Sequence, residues 1–203
     1  AGRAGGTMKV AIVGAGAIGG VLGARLASSG HEVGLLARGA HLMAIRGGGL
    51  KLVDHPGADP ADLRLAASDD PADLGPQDLV VIALKAHAIP PMLPRLRPLL
   101  HEDTVVVPAI NGLPWWYFHR EGGAHDGRAL RSLDPAGTMF ADLDCRHIVG
   151  CVVHFAAEVR SPGEVHHTGG RRLILGEPDR TMSPRLRRIC AALDGAGFEA
   201  QAS

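Results

Sequence analysis

Aromatic side chains are scarce in this sequence, with four Phe, one Tyr and two Trp in 203 residues. Cysteine is scarcer still: Cys145, Cys151 and Cys190 form no CxxC pair, and an odd number cannot pair completely within one chain. That excludes a disulfide scaffold and points to a reduced, cytoplasmic setting. No apolar run is long; LVVIAL at 79–84 falls far short of the ~20 residues of a membrane span. Neither sign of charge is in excess, 21 Lys+Arg standing against 21 Asp+Glu, and the basic residues are scattered rather than striped. A nucleic-acid or membrane partner is therefore not expected, and a small molecule is. Lysine is nearly absent: Lys9, Lys51 and Lys85 are the only three, so a Lys at a suggestive position is informative.

What is plentiful is glycine, 28 residues, with 14 proline, together below the ~25–30% that marks low-complexity chains. The length suits one large domain, or one domain and the beginning of another. AGRAGGT before Met8 lacks the apolar segment of a secretion signal and reads as a native extension or a cloning remnant. Domain reasoning therefore starts at residue 8.

KVAIVG, 9–14, is a continuous apolar run of strand length, the pattern of a strand buried on both faces in a parallel sheet. GAGAIGGVLGARLASSG, 14–30, follows and suits a helix, with small residues Gly19, Gly23 and Ala27 four apart and Gly30 as its terminator. EVGLLAR, 32–38, completes a strand–helix–strand unit. A short helix fits 41–46, ended by Gly47-Gly48-Gly49, and LKLV and LRLAA read as extended pieces around an acid-rich loop, Asp54 to Asp73, with no assigned role. LVVIALK (79–85) and TVVVPAING (104–112) repeat the buried-strand pattern, with a Pro-punctuated helix between them to about Leu100. IVGCVVHFAAEV, EVHHTG and RRLILGE read as three strands, a mixed or antiparallel extension of the sheet. Ser183 caps a helix whose apolar face is Leu186, Ile189, Cys190 and Leu193, and FEAQAS starts another strand. The fold class is α/β, a Rossmann-like doubly wound, mostly parallel sheet.

Gly14-Ala15-Gly16-Ala17-Ile18-Gly19 matches GxGxxG and sits where that motif must sit, after a strand and opening a helix. Gly14 suits the tight turn, Gly16 the approach of a pyrophosphate, and Gly19 close helix packing, with unpaired N–H groups facing the phosphates. Glycines that merely permit close packing would look alike. At the tip of the second strand, Leu36-Ala37-Arg38 offers no acid for a ribose 2′-OH. Arg38 is thus the candidate for a 2′-phosphate, and NADP (NADPH) the expected cofactor, unless Arg38 is only a solvated charge. Lys85 and Asn111-Gly112 stand at two further strand tips; singly they read as a surface charge and a turn. Together with Gly14 and Arg38 they share one sheet edge, and one ligand explains four such features better than four accidents. The 11 His show no metal spacing, His166 and His167 pointing to opposite strand faces, so no metal is expected. Trp115-Trp116 reads as an anchor for a following helix.

GAGAIGG (14–20), Arg38, ALKAH (83–87), PAINGLPWWYFH (108–119) and PGEVHHTGGRRLILGEP (162–178) together resemble the ketopantoate reductase (2-dehydropantoate 2-reductase) family. The resemblance covers residues 8–203 and implies NADPH-dependent reduction of a 2-keto acid, 2-dehydropantoate, to (R)-pantoate. It implies that Gly14, Gly16 and Gly19 hold the pyrophosphate, Arg38 the 2′-phosphate, and that Lys85 and Asn111 line the cofactor and substrate cleft. It also implies a C-terminal helical domain carrying a general-acid lysine a short way beyond Ser203. None of the three lysines here matches that position, so no general acid is expected among residues 1–203. The expectation is the cofactor-binding half of such an enzyme, nearly inactive alone. Another branched 2-keto acid, or a stand-alone NADP-binding module, fits the same residues, as does a homodimer.

Overall fold

The structure, a computed structural model, describes residues 6–55 and 57–203. In chain order the elements are β1 (Lys9–Val13), α1 (Ala17–Ser28), β2 (Glu32–Leu36), α2 (Gly39–Gly48), β3 (Leu50–Val53), β4 (Ala61–Leu63) and β5 (Ala66–Ser68). Then come β6 (Leu79–Ile82), β7 (Val105–Pro108), α3 (Met139–Asp142), β8 (Gly150–Ser161), β9 (Glu164–Gly176), α4 (Pro184–Gly195) and β10 (Glu199–Ala202).

Five strands form an all-parallel sheet in the order β5-β2-β1-β6-β7. Alternation along β1 explains the unbroken apolar runs: Val10 and Ile12 enter one core, Ala11 and Val13 the other, and all four are fully buried. A sheet covered on both faces needs apolar residues at every position. The second sheet is mixed, ordered β10-β9-β3-β4 with β8 antiparallel on β9. Bridges Val106–Ile148 and Ala109–Cys151 join the two sheets. The expected strand at FEAQAS is β10, parallel to β9, and Ser203 just past it donates its N–H to the Leu175 carbonyl at 2.8 Å.

Helix α1 lies between the sheets, touching β1 and β2 on one side and β3, β8 and β9 on the other. It carries no side chain at Gly20, where a Cβ would come within 2.7 Å of Val165 Cγ1. A helix squeezed from two sides must be thin on two faces, and its small residues supply that.

Helix α4 forms as its sequence dictates. Ser183 Oγ accepts from the Leu186 N–H at 3.1 Å, Pro184 opens the first turn, and Leu186, Ile189, Cys190 and Leu193 are buried. Burying a Leu or Ile side chain there contributes about 1.5–3 kcal/mol each.

The structure corrects four local expectations. EVHHTG and RRLILGE are one strand, β9; the Gly169-Gly170 pair bends it where the register against β8 shifts, with Gly170 at φ 72°. The Pro-punctuated helix is two 3-10 segments, Ala86–Ala88 and Leu93–Leu99, because Pro90, Pro91, Pro94 and Pro98 lack the N–H groups an α-helix requires. Trp115 and Trp116 are buried edge to face, 4.4 Å between ring centroids, beside Leu96 and Leu99, with a run of turns rather than a helix after them. The acid-rich loop is partly structural: Asp54 pairs with Arg25 at 2.7 Å, Asp70 caps the 3-10 turn Pro71–Asp73, and Asp73 accepts from the buried Ser68 hydroxyl.

Candidate functional site

In a parallel sheet all strands end at one edge, and here that edge carries Gly14 after β1, Arg38 after β2, Lys85 after β6 and Asn111 after β7. A cleft of about 890 Å3 opens there. Its floor is Gly14, Ala15 and Gly16 with Leu36, Ala37 and Arg38, one wall is Leu84, Ala88, Pro91 and Met92, and the opposite wall is the β8–β9 hairpin tip, Val159 to Pro162.

The glycine turn is built as its spacing requires. Gly14 has φ 96°, and a Cβ there would meet Leu84 Cδ2 at 2.6 Å. A Cβ on Gly19 would strike the Gly14 carbonyl and come within 2.9 Å of Ile12 Cγ2, so only glycine lets α1 settle on β1. Gly16 differs, since nothing lies within 4 Å of where its Cβ would be. That volume is open toward the cleft.

The N–H groups divide into used and available. Those of Gly14 and Ala15 both donate to the Leu36 carbonyl, at 3.0 and 3.1 Å, which fixes the turn against β2. Those of Gly16, Ala17, Ile18 and Gly19 enter no hydrogen bond among the described residues. Four free donors at the positive end of α1 form an anion site. The free donors lie in the second half of the motif, from Gly16 onward.

Arg38 stands at the N-cap position of α2 and is exposed, and its guanidinium has no hydrogen-bond or ion-pair partner among the described residues. Two arginines the sequence does not single out share the cleft: Arg95, whose Nη2 donates to the Asp69 carbonyl, and Arg160, paired with Glu158 at 2.6 Å. Asp69 is the one carboxylate among the lining residues. The free donors, the open volume at Gly16 and the unpaired Arg38 fit a dinucleotide carrying a diphosphate.

Lys85 and Asn111 stand at the predicted edge but are not among the residues lining the cleft. Lys85 is exposed beside Leu84, which does line it. Asn111 spends its amide on the backbone of Val153 in β8. Ser203, beyond which the resemblance puts the general-acid lysine, belongs to the second sheet through its bond to Leu175 and does not line the cleft either. Also unforeseen were His41 and the hairpin tip, which lie far from the glycine motif in sequence. No local pattern marks them.

The paired histidines of β9 are held within the fold. His167 is buried, with Nε2 2.6 Å from the Gly170 carbonyl and Nδ1 2.9 Å from the Asp54 carbonyl, while His166 pairs with Glu164 at 2.6 Å. Among the described residues no group of three or more His, Cys, Asp or Glu could hold a metal, and no helix is long and apolar enough to cross a membrane.

Comparison with known proteins gives the family and the fold. The family model for ketopantoate reductase PanE/ApbA matches residues 10–180. A 2-dehydropantoate 2-reductase of Mesorhizobium japonicum is 43% identical over 95% of this chain and 59% of its own length. A Ralstonia solanacearum protein assigned as a ketopantoate reductase superposes with a TM-score of 0.92 at 44% identity, over 98% of this chain and 61% of that one. A 2-dehydropantoate 2-reductase of Geobacter metallireducens gives 0.78 at 31% identity, over 96% and 57%. The chain thus spans about three fifths of the relatives it matches.

Proposed function

The chain belongs to the ketopantoate reductase family, and from that premise we propose that it is the NADPH-binding half of an oxidoreductase that reduces 2-dehydropantoate to (R)-pantoate, toward pantothenate and coenzyme A. The observation that carries the cofactor reading is Arg38: an unpaired cation at the tip of β2, where a site for NADH would place an acid.

Each part of the cleft has a task in this reading. The N–H groups of Gly16 to Gly19 take the negative charge of the pyrophosphate, and Arg38 takes the 2′-phosphate, with Arg95 and Arg160 adding positive field. Leu84, Ala88, Pro91 and Met92 give the adenine an apolar wall. Lys85 and Asn111 stand further along the edge, on the side of β6 and β7, where the nicotinamide and keto acid would lie. The reduced nicotinamide supplies a hydride to the keto carbon. The ketone oxygen also needs a proton. Lys9 begins β1 at the opposite edge of the sheet, Lys51 lies in β3, and Lys85 does not match the position of the family's general acid, so none of the three is assigned to give it. In this reading the proton comes from a lysine beyond Ser203. We expect this chain alone to bind NADPH with little turnover.

Titration of the chain with NADPH and NADH tests the reading. NADPH should bind at least about tenfold more tightly, as one charge-assisted contact gives, and Arg38→Ala should remove most of that preference. Equal affinity for the two, or equal weakening of both by Arg38→Ala, overturns the NADP assignment. Ready turnover of 2-dehydropantoate by these 203 residues would overturn the half-enzyme assignment.

A further inference from the structure

One side chain in the cleft bonds both its floor and its far wall. His41 Nε2 lies 2.7 Å from the Ala15 carbonyl, and the Gly163 N–H reaches His41 Nδ1 at 2.9 Å. A carbonyl only accepts and an amide N–H only donates, so Nδ1 is bare and the proton sits on Nε2. The network admits one tautomer.

The Ala15 end governs a ligand-facing group. The peptide joining Ala15 to Gly16 is planar and trans, so its carbonyl and the Gly16 N–H point in opposite directions along one plane. Holding the carbonyl sets the direction of the Gly16 N–H, the first of the four free donors. The Ala15 N–H is already held by Leu36 O, so the peptide groups on both sides of Ala15 are fixed. His41 holds the second of them.

The Gly163 end governs the wall. Gly163 turns the β8–β9 hairpin at φ 83°; its carbonyl accepts from the Lys51 N–H at 2.8 Å, and a Cβ on it would come within 3.0 Å of Ala44 Cβ in α2. The hairpin tip is therefore seated on the helix that bears both Arg38 at its N-cap and His41 in its first turn.

We propose that His41 is a positioning residue for the dinucleotide: it aims the Gly16 N–H at the pyrophosphate and fixes the hairpin wall, without touching the reacting atoms. The proposal rests on the cofactor reading above. It predicts a defect confined to ligands that reach the glycine turn. NADPH spans the cleft from 2′-phosphate to pyrophosphate, whereas 2′-AMP carries the 2′-phosphate and no pyrophosphate.

The test measures dissociation constants of NADPH and 2′-AMP for the chain and for His41→Ala, His41→Gln and Arg38→Ala. His41→Ala should weaken NADPH by about tenfold, the worth of one hydrogen bond to a charged group, and leave 2′-AMP within about twofold. His41→Gln keeps an N–H donor within reach of Ala15 and should recover most of the loss. Arg38→Ala should weaken both ligands. A His41→Ala protein that binds NADPH as tightly as the parent overturns the proposal, as does one that loses NADPH and 2′-AMP by the same factor, which marks a merely structural role. A parent chain that binds NADH as well as NADPH overturns the NADP assignment and leaves the positioning role standing if His41→Ala weakens both dinucleotides. A parent that binds no dinucleotide overturns both.

Discussion

The Asn111 side chain closes a two-way hydrogen-bond pair with the backbone of Val153, its Nδ2 donating to the Val153 carbonyl at 3.1 Å and the Val153 N–H donating to Oδ1 at 3.0 Å. It does with a side chain what a strand does with its backbone. It continues the joint between β7 and β8 past the Ala109–Cys151 bridge, where β7 itself has ended. The residue that family resemblance places in the ligand cleft is thus also a fastener between the two sheets.

Asn111→Ala should therefore lower stability as well as any ligand affinity. Losing the pair leaves a partly buried N–H and C=O to find water, at about 1–3 kcal/mol. Urea unfolding measures this. Asn111→Asp keeps the acceptor, loses the donor and sets a carboxylate against a carbonyl, so it should be no better than Ala. A variant as stable as the parent would show that the pair does not hold the sheets together.

Gly16 and Gly19 should respond oppositely to the same change. Gly19→Ala drives a methyl into the Gly14 carbonyl and should cost about 1–3 kcal/mol or more, as overpacking does. Gly16→Ala meets nothing within 4 Å, and φ −70° suits any L residue, so stability should barely move. Its methyl enters the open volume beside the free donors, so NADPH affinity should fall. Thermal melts with and without NADPH separate the two effects.

The contrast also shows which parts of the molecule are legible in a sequence. Strands buried on both faces announce themselves as unbroken apolar runs, and KVAIVG, EVGLL and LVVI all lie where their runs predict. Ser183 and the apolar face of α4 are local patterns too. Arg38 was legible because its position is defined by the strand it ends. His41, Arg95, Arg160 and the hairpin tip were not, since they reach the cleft from three different elements through tertiary packing. The same limit hid the partner of Asn111, 42 residues away. No periodicity records such a distance.

The thiols should be inert in the folded chain. Burial pushes Cys151 up to about 12, with the neighbouring Cys190 adding to it, and burial with help from Asp144 pushes Cys145 up to about 11. Burial, then Asp194, also raises Cys190. At pH 8 a thiol at about 12 is thiolate in only about one molecule in ten thousand, and the thiolate is the reactive form. A disulfide reagent at pH 8 should label the native chain slowly and all three cysteines at once in 6 M guanidinium, roughly the denaturant level that unfolds most domains. Fast labelling of the native chain would show that one of these sites opens readily.

Glu177 and Arg185 offer the sharpest test of how α4 is fixed to the second sheet. Glu177 follows β9, its side chain is 3% exposed, and Arg185 meets it as a fork, Nε to Oε1 at 2.8 Å and Nη2 to Oε2 at 2.5 Å. The Ser183 hydroxyl donates to the same carboxylate, and Arg185 also reaches the carbonyls of Arg146 and Ile148. The hydrogen bonds to Glu177 raise the Arg185 pKa above its ordinary value, so the guanidinium stays charged. Arg185→Ala leaves a buried carboxylate with one hydroxyl for company and should cost about 3–5 kcal/mol. The double change Arg185→Met with Glu177→Leu removes both charges and keeps the volume, and it should recover much of that loss. Urea midpoints of the parent and these two variants decide it: a double variant no more stable than Arg185→Ala would mean that the fork itself, rather than relief of an isolated charge, holds the helix in place.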